Sequence, residues 1–469
     1  MIQNLCTLTH CKRQTTDMKT LIEKYNVAAP RYTSYPTVPY WDEEVQSEET
    51  WKKLVKNTFD HTNNKDGISL YIHLPFCESL CTYCGCNTRI TVNHQVESPY
   101  IDALLKEWSM YLSVFNETPK ISEIHLGGGT PTFFNAKNLE SLLSKILSTA
   151  ELCEDAEMSF EAHPDNTTFA HLETLYKLGF KRISLGIQDF DPKVQHIINR
   201  IQTVEAVEKV TQQARDLGYT SINYDLIYGL PLQTTASMQA TIEKVIELKP
   251  DRIAFYSYAH VPWLKPGQRK FTEADLPAGN VKRQLYEQGR AALENAGYIE
   301  IGMDHFALPN DPLNIAEKNK TLHRNFMGYT TSKSKLLIGL GTSSISDSWT
   351  GFAQNEKKVE DYYKALNEDR FPFFKGHVLT GEDLIMRKHI LNIMCNQETN
   401  WENEEDQCDE ILSAVEKLHE LEADGMVELT AFNLKVTEAG KPFLRNICMA
   451  FDVRMARKQA ETQIFSTAV

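Results

Sequence analysis

Cys77-Glu78-Ser79-Leu80-Cys81-Thr82-Tyr83-Cys84 is the stretch of this sequence that decides both fold and chemistry. It directly follows the apolar, β-rich run Ser69–Phe76, so the three cysteines lie on the loop after a predicted strand. Thiolates spaced four and three residues apart can each bind a different iron of one cubane cluster, which leaves the fourth iron open. Zinc sites prefer paired Cys-x-x-Cys units, so this spacing argues against a tetrahedral zinc ion.

Downstream of this loop, β-rich runs alternate with segments of helical spacing. The predicted strands are Ser69–Phe76, Ile121–Leu126, Glu157–Ala162, Arg182–Gln188, Ser221–Ile227 and Arg252–Tyr258. Segments such as Tyr100–Val114, Leu139–Leu147 and Val204–Leu217 show the helical period between them. This alternation predicts parallel βα units. Six units are too few for a closed eight-fold barrel, so we expect an α/β fold with a partial (β/α)6 barrel in residues 67–375.

The two ends of the chain differ from this pattern. Residues 1–66 are expected to form an N-terminal arm with helices, in which Ala29–Pro36, with two prolines, runs extended. Residues 376–469 are expected to form a mostly helical, winged-helix-like domain. Its predicted elements are the helices Gly381–Cys395 and Cys408–Ala423 and the strands Met426–Leu429 and Leu434–Val436. The acidic segment Glu398–Glu410 does not suit phosphate contact, so a packing or lid role is favoured over DNA binding.

Composition limits the possible partners and location. The 469 residues carry a net charge of -14, which argues against nucleic acid or an acidic membrane surface as the main partner. Four of the ten cysteines lie within Cys77–Cys86, and such clustering favours metal binding in a reducing cytosol. No apolar run of transmembrane length and no signal-peptide core is present, so a cytoplasmic location is predicted.

Further motifs carry a family resemblance that spans nearly the whole chain. They are Pro30-Arg31-Tyr32-Thr33-Ser34-Tyr35-Pro36-Thr37, Cys84-Gly85-Cys86-Asn87, Gly127-Gly128-Gly129-Thr130-Pro131-Thr132, Asp225-Leu226-Ile227-Tyr228-Gly229-Leu230-Pro231, Gly302-Met303-Asp304-His305-Phe306-Ala307 and His323-Arg324-Asn325-Phe326. The cysteine motif resembles that of the radical S-adenosylmethionine (SAM) superfamily. The full set of motifs resembles the oxygen-independent coproporphyrinogen III oxidases within that superfamily.

The resemblance implies a cytoplasmic oxidoreductase of heme biosynthesis. Its reaction is the oxidative decarboxylation of two propionates of coproporphyrinogen III, which gives protoporphyrinogen IX. The implied cofactors are a [4Fe–4S] cluster on Cys77, Cys81 and Cys84 and two molecules of SAM, from which a 5′-deoxyadenosyl radical is generated. The implied partners are the substrate and a small electron-donor protein such as flavodoxin or ferredoxin. The enzyme is expected to be a monomer.

The resemblance also assigns candidate site residues. Tyr71 and Cys86 are the candidate catalytic residues, with Cys86 as a non-ligand near the cluster. The candidate SAM-binding residues are Tyr71, Tyr83, Gly128, Gly129, Thr130, Glu161, Gln188, Arg200, Asp225, Ala259 and, for the second molecule, Ile345. A carboxylate suits ribose hydroxyls, an amide suits adenine and a guanidinium suits the methionine carboxylate. Met327 departs from the Gln of some members, and its thioether is a weak acceptor, so the completeness of the second SAM site stays open.

Several alternatives stay open at this stage. A related heme chaperone shares the cluster motif, although it usually lacks both the Cys84-Gly85-Cys86 extension and the Pro30–Thr37 arm. A winged-helix DNA-binding redox sensor belongs to a different class, and the acidic balance argues against it. Cys86 could also close the cluster as a fourth ligand. Arg31 could bind substrate carboxylates or only pin the arm to a surface carboxylate.

Overall fold

The computed structural model describes residues 18–42, 47–277, 279–458 and 465. Their strands are β1 (Ile68–Leu74), β2 (Phe76–Cys77), β3 (Arg89–Ile90), β4 (Lys120–Gly128), β5 (Glu151–Ala162), β6 (Arg182–Gln188), β7 (Ser221–Tyr228), β8 (Arg252–Ser257), β9 (Ile299–Gly302), β10 (His305–Ala307), β11 (His323–Asn325), β12 (Gly328–Thr330), β13 (Leu337–Leu340), β14 (Ile345–Asp347), β15 (Gly351–Asn355), β16 (Phe373–Val378), β17 (Glu398–Asn400), β18 (Val427–Leu429) and β19 (Asn433–Val436). The helices are α1 (Met18–Tyr25), α2 (Glu48–Thr62), α3 (Glu97–Leu112), α4 (Ala136–Leu147), α5 (Phe169–Lys177), α6 (Pro192–Ile197), α7 (Val204–Leu217), α8 (Thr235–Leu248), α9 (Gly279–Asn295), α10 (Pro312–Lys318), α11 (Val359–Asn367), α12 (Gly381–Asn396), α13 (Ile411–Ala423), α14 (Leu444–Met449) and α15 (Val453–Arg457).

By its contacts the chain divides into two units. One is Trp41–Thr380, and the other joins the described residues up to Tyr40 with those from Gly381 onward. The sequence placed residues 1–66 in one segment. In the structure, however, Trp51 and Phe59 of α2 belong to the hydrophobic core of the larger unit. Apolar side chains on one face of α2 are buried there, so this helix groups with the sheet.

The larger unit is built on one twelve-stranded sheet, in the order β16-β15-β14-β13-β1-β4-β5-β6-β7-β8-β10-β9. The six predicted strands lie next to one another as β1, β4, β5, β6, β7 and β8, and each pairs with the next in parallel. The predicted α/β class and the six-unit parallel sheet are confirmed. The sheet is larger than predicted, because β13 adds a seventh parallel strand beside β1.

Side-chain alternation along the central strands separates the core from the site. In β6, Ile183, Leu185 and Ile187 are at most 1% exposed and belong to the hydrophobic core. The intervening residues Ser184 and Gly186 line a cavity at the other face. Since successive side chains of a strand point to opposite faces, one face packs on the helices and the other presents polar groups.

Helix termini show why the connecting segments fold locally as helices. Thr203 caps α7 by accepting a hydrogen bond from the backbone N–H of Ala206 at 3.1 Å. Gly218 ends the same helix in the left-handed conformation, at a φ of 98° that an L side chain rarely adopts. Val207 and Val210, three residues apart, are buried against the sheet.

In the smaller unit, the helices α12 and α13 precede the antiparallel strands β18 and β19, in the predicted order. A third strand, β17, pairs with β19 and was not predicted. The arm packs within this unit: the Tyr32 hydroxyl donates to Asp452 at 3.1 Å, and Arg445 Nε donates to the carbonyl of Pro30 at 3.0 Å. The sequence suggested an extended arm, but the backbone of the arm is not extended throughout. Tyr32 has a φ of 46°, because its ring turns into a buried position.

None of the described helices combines the length and the apolarity needed to cross a bilayer. The two cysteines nearest the N-terminus, Cys6 and Cys11, lie outside the described residues.

Candidate active site

The cysteine loop is held at both ends by short backbone pairings. β2 and β3 pair in parallel, and the N–H groups of Arg89 and Thr91 donate to the carbonyls of Pro75 (2.7 Å) and Cys77 (2.9 Å). Inside the loop, the N–H of Cys84 donates to the carbonyl of Cys81 at 3.1 Å. The loop therefore leaves the end of β1 and returns beside it, which fixes all three cysteines of the motif at the carboxyl edge of the sheet.

The thiols of the motif share one cavity of about 750 Å³ with the carboxyl ends of the parallel strands. Its lining includes most of the site residues predicted from the sequence: Cys77, Cys81, Tyr83, Cys84, Cys86, Gly128, Gly129, Thr130, Glu161, Gln188, Arg200 and Asp225. In parallel α/β folds the chemistry lies at this edge, because the loops after each strand converge there.

The glycine loop after β4 approaches its neighbours more closely than a side chain would permit. A Cβ on Gly128, whose φ is 115°, would lie 2.7 Å from the ring of His73, and one on Gly129 would lie 2.6 Å from the backbone of Pro75. Thr130 follows, with its Oγ1 3.4 Å from the sulfur of Cys77. Glycine is therefore required at both positions to bring this backbone against the cysteine loop.

Two carboxylates of the cavity, Glu161 near the end of β5 and Asp225 in β7, have different environments. Burial, followed by the charge of Glu161, raises the pKa of Asp225 to about 6, although Ser184 (2.9 Å) and Asn223 (2.8 Å) donate to it. Burial alone would raise the pKa of Glu161. His125 and the Gly128 N–H, which donates at 3.1 Å, outweigh burial and hold that pKa below its usual value. Glu161 is thus the more acidic carboxylate of the pair.

Arg200 brings a positive charge to the cysteines. Its Nη1 lies 3.7 Å from the sulfur of Cys81, and its Nε donates to the carbonyl of Gly186 at 3.2 Å. Burial alone would lower the pKa of Arg200, but Tyr83 and Cys81 raise it, so that the guanidinium stays charged. The side chain can therefore present a fixed cation to an anionic ligand in the cavity.

A second cavity of about 290 Å³ adjoins the first, and Cys86, Gly128 and Glu161 line both. Its remaining lining includes Tyr71, His73, His125, Phe326, Met327 and Ile345. The structure thus brings the two residues of the predicted second SAM site, Met327 and Ile345, to the same cavity as Tyr71.

The hydrogen bonds of Tyr71 fix its role as a donor. His73 Nε2 lies 2.9 Å from the carbonyl oxygen of Asn87, so this nitrogen carries the proton in the neutral ring. Burial lowers the pKa of His73, which keeps the ring neutral. Its Nδ1 therefore accepts from the Tyr71 hydroxyl at 3.1 Å. The Tyr71 ring also stacks on His125, with centroids 6.0 Å apart.

The donor set at the cysteine loop fits a cubane cluster. Among the described residues, no three His, Cys, Asp or Glu side chains converge on a single metal-ion position. A cubane does not need such convergence, because each thiolate binds a different iron. Arg200, Glu161 and Asp225 line the cavity beside the thiols. They supply a cation that could bind the carboxylate of an amino acid and carboxylates that could bind the hydroxyls of a ribose.

Similarity to known proteins identifies the family of the chain. The model of the radical SAM superfamily matches residues 71–245, which run from β1 into α8. The oxygen-independent coproporphyrinogen III oxidase of Escherichia coli K12 is 38% identical over 454 residues, covering 96% of this chain and 98% of that protein. The Synechocystis protein of the same name is also 38% identical, over 458 residues. The chain belongs to the oxygen-independent coproporphyrinogen III oxidases.

A solved structure extends the likeness to the whole fold. The E. coli structure described as a coproporphyrinogen III oxidase and radical SAM enzyme superposes with a TM-score of 0.86 at 36% identity. The match covers 94% of this chain and 100% of that one. The radical SAM fold predicted from the cysteine motif is confirmed, and with it a [4Fe–4S] cluster and SAM as the cofactors of this oxidase family.

One predicted residue lies away from the cavities of this family member. Ala259 lines neither cavity; its carbonyl accepts from Gln268 Nε2 at 3.3 Å, and the same nitrogen donates to the carbonyl of Tyr83 at 3.0 Å. Sequence reasoning also missed residues that the structure places at the site, above all His125, with its Nε2 3.6 Å from Glu161. A histidine inside an apolar strand, two residues before three glycines, was the available signal.

Proposed function

We propose that the chain catalyses the oxygen-independent oxidative decarboxylation of two propionates of coproporphyrinogen III to protoporphyrinogen IX, at the cavity beside the cysteine loop. One observation carries the assignment: the thiols of Cys77, Cys81 and Cys84 share that cavity with the carboxyl ends of the parallel strands. Membership of the oxidase family, with 98% of the E. coli enzyme covered, supports the same reaction for the whole chain.

The three thiols are proposed to hold the cluster, with its fourth iron left for the amine and carboxylate of SAM. When bound, the cluster and SAM would supply the one-electron chemistry needed to remove a hydrogen atom from an unactivated carbon of a propionate. Cys86 is proposed as a non-ligand: a fourth thiolate on the cluster would exclude the methionine part of the cofactor. The N–H of Cys86 instead donates to the sulfur of Cys84 at 3.4 Å.

The proposed role of the residues around the cavity is to bind SAM and to orient it. Arg200 is proposed to pair with the methionine carboxylate and Glu161 to bind the ribose hydroxyls. Gln188, whose φ of 66° turns its amide toward the cavity, is proposed to contact adenine. Asp225, with its raised pKa, can accept or donate a hydrogen bond near neutral pH. Holding these groups in one cavity would place the reacting carbon correctly.

The smaller cavity is proposed to receive a second SAM, with Ile345 at its wall and Tyr71 and Cys86 facing its ligand. Met327 at this wall supports an apolar contact rather than a strong hydrogen bond. Tyr71, whose hydroxyl proton is donated to His73, could accept a hydrogen bond from a ligand, and Cys86 could donate one through its thiol, whose pKa is raised by its interaction with the Cys84 sulfur.

The remaining assignments rest on composition and family membership. We propose a monomer in the cytoplasm that takes electrons from a small protein such as flavodoxin or ferredoxin and binds neither nucleic acid nor membrane. We also propose that the arm acts in substrate capture, with Arg31 facing the substrate's carboxylates.

The test is an anaerobic assay on the chain after reconstitution with iron and sulfide. With SAM and a reductant it should convert coproporphyrinogen III to protoporphyrinogen IX, with two molecules of CO2 released per macrocycle. The Cys81→Ser variant should give neither product. Stable heme binding without any turnover would instead identify the heme-chaperone alternative.

A further inference from the structure

The loop after β8, residues 259–271, exposes large apolar side chains beside the cysteine loop. Trp263 is 51% exposed and Leu264 is 59% exposed. Leu80, which lies between the first two cluster cysteines, is 42% exposed and contacts the same loop: its Cδ2 would be 3.5 Å from a Cβ on Gly267. Leu80 thus lies against the loop that exposes Trp263 and Leu264, and exposed large apolar residues beside a functional site indicate an interaction surface.

This loop is fixed to the backbone that carries the cysteines. Gln268 is only 2% exposed, and its side chain donates to the carbonyl of Tyr83 at 3.0 Å and accepts from the N–H of Val261 at 2.6 Å. Lys265 Nζ donates to the carbonyl of Cys86 at 3.3 Å. The exposed surface is therefore connected to the cluster motif through buried or short polar contacts.

The charge of the loop opposes that of the whole chain. Lys265, Arg269 and Lys270 lie within six residues, while the chain carries a net charge of -14. Arg269 and Lys270 are exposed and form no ion pair with another residue in the part of the chain that the structure describes. Two acidic residues follow: Glu273 is exposed, and Asp275 accepts hydrogen bonds from Thr272 in its own turn, so the segment 265–270 itself carries three cations and no carboxylate. An acidic partner would be attracted here and repelled by most of the remaining surface.

We propose that the surface formed by Leu80, Trp263, Leu264, Arg269 and Lys270 docks a small acidic protein that carries one electron to the cluster. The inference rests on the proposed function, because it names the partner of that site. In the encounter one electron leaves the reduced carrier and enters the cluster, with no bond made or broken and no proton transferred.

Chemistry and geometry both indicate that the partner on this surface is an electron carrier. Reductive cleavage of SAM consumes one electron at the cluster, so a donor outside the chain has to supply it. Trp263, Leu264, Arg269 and Lys270 do not line the cavity, so a macrocycle reacting inside it would not need them. A small apolar centre with a charged rim is the composition of transient redox interfaces, which bury less than about 1,200 Å².

The experiment compares two electron donors on the reconstituted full-length enzyme. The variants are Arg269→Glu combined with Lys270→Glu, and separately Trp263→Ser. The control combines Lys145→Glu with Lys209→Glu, an equal charge change at exposed positions of α4 and α7. Anaerobic decarboxylation is measured with reduced flavodoxin and, in parallel, with dithionite.

The charge variant should raise the KM for flavodoxin about tenfold and flatten the salt dependence of kcat/KM, because rim charges act mainly on association. Trp263→Ser should also raise that KM. Dithionite-driven turnover should stay within about twofold of the parent, and the control should match the parent with both donors.

Two results would overturn the proposal. An equal loss with both donors would show that the surface serves the substrate or the fold, and an unchanged KM for flavodoxin would show that no such carrier docks there. Failure of the unmodified enzyme to turn over with dithionite would instead count against the proposed function, so the two failures are distinguishable.

Discussion

Arg200 is the residue whose replacement should separate cofactor binding from cluster assembly. Its guanidinium lies 3.7 Å from the Cys81 sulfur in a partly buried position, anchored by the carbonyl of Gly186. A hydrogen bond between charged groups contributes about 1.5–3 kcal/mol, so Arg200→Ala should weaken SAM binding roughly 10- to 150-fold. Arg200→Lys keeps the charge but loses the planar pair of donors, so it should recover only part of the affinity.

The same cation should also influence reduction of the cluster. A unit charge about 4 Å away interacts with about 4 kcal/mol at an effective dielectric of 20, as an upper bound. Because the added electron is spread over four irons, a fall of the reduction potential on the order of 100 mV is expected for Arg200→Ala. Arg200→Lys should shift the potential less, because the positive charge is retained.

Anaerobic calorimetry with SAM and a potentiometric titration followed by EPR measure the two effects. Iron content should equal that of the parent in both Arg200 variants. Arg215→Ala is the matched control, since Arg215 lies on α7 and pairs with Asp251 outside the site. If Arg200→Ala bound SAM with the parent's affinity and kept its potential, the assignment of this guanidinium to the cofactor would be refuted.

Four further predictions follow from the structure. Cys86→Ser should retain the cluster's iron and visible absorbance, whereas Cys81→Ser should lose both; equal loss in the two variants would make Cys86 a ligand. Burial raises the pKa of Glu107 to about 7, so its contribution to stability is present below pH ~4.5 and is lost as pH rises through 7. The free energy of unfolding of Glu107→Gln, from denaturant titrations at pH 5 and pH 8, should therefore fall less with pH than the parent's, by up to about 3 kcal/mol. Arg31→Ala should leave reductive SAM cleavage intact and raise the KM for coproporphyrinogen; an unchanged KM and rate would refute its role in capture. Deleting residues 1–36 should eliminate decarboxylation while the cluster remains, but it also removes buried Tyr32, so full-rate turnover is its only decisive outcome.

The central sheet could be predicted because its strands are short, apolar and separated by segments of helical period. β13 could not, because it spans only Leu337–Leu340 and lies more than 200 residues after β1 in the chain. Nothing local marks those four residues as a partner of the first strand. The order of strands in a sheet depends on contacts between distant segments, which periodicity does not report.

The candidate site residues also divide into those that local sequence motifs indicate and those that depend on contacts between distant segments. Residues inside the sequence motifs, such as Cys81, Gly128 and Asp225, could be proposed because the family resemblance assigns them, and the structure brings them to one cavity. His125 was missed because its role depends on register: β4 and β5 place it opposite Ser159, and their side chains meet at 2.7 Å. The three glycines that follow His125 mark its position, but a single histidine in an apolar strand does not give that register.

The arm shows a local prediction altered by tertiary contacts. Its two prolines favour extended backbone, yet Tyr32 takes a positive φ. The ring is 1% exposed, and its hydroxyl donates to Asp452. Burial of an aromatic ring contributes about 2–3 kcal/mol, which exceeds the usual free-energy difference of about 1–2 kcal/mol for a left-handed residue.

The wall that the two cavities share has a thermodynamic consequence. Cys86, Gly128 and Glu161 belong to both cavities, so a ligand that shifts any of them on one side changes the binding free energy on the other. Linkage makes this effect reciprocal: if occupancy of the smaller cavity tightens binding in the larger one by some factor, the converse holds by the same factor. The two occupants would then load cooperatively, and half-loaded enzyme would become rare as ligand concentrations rise.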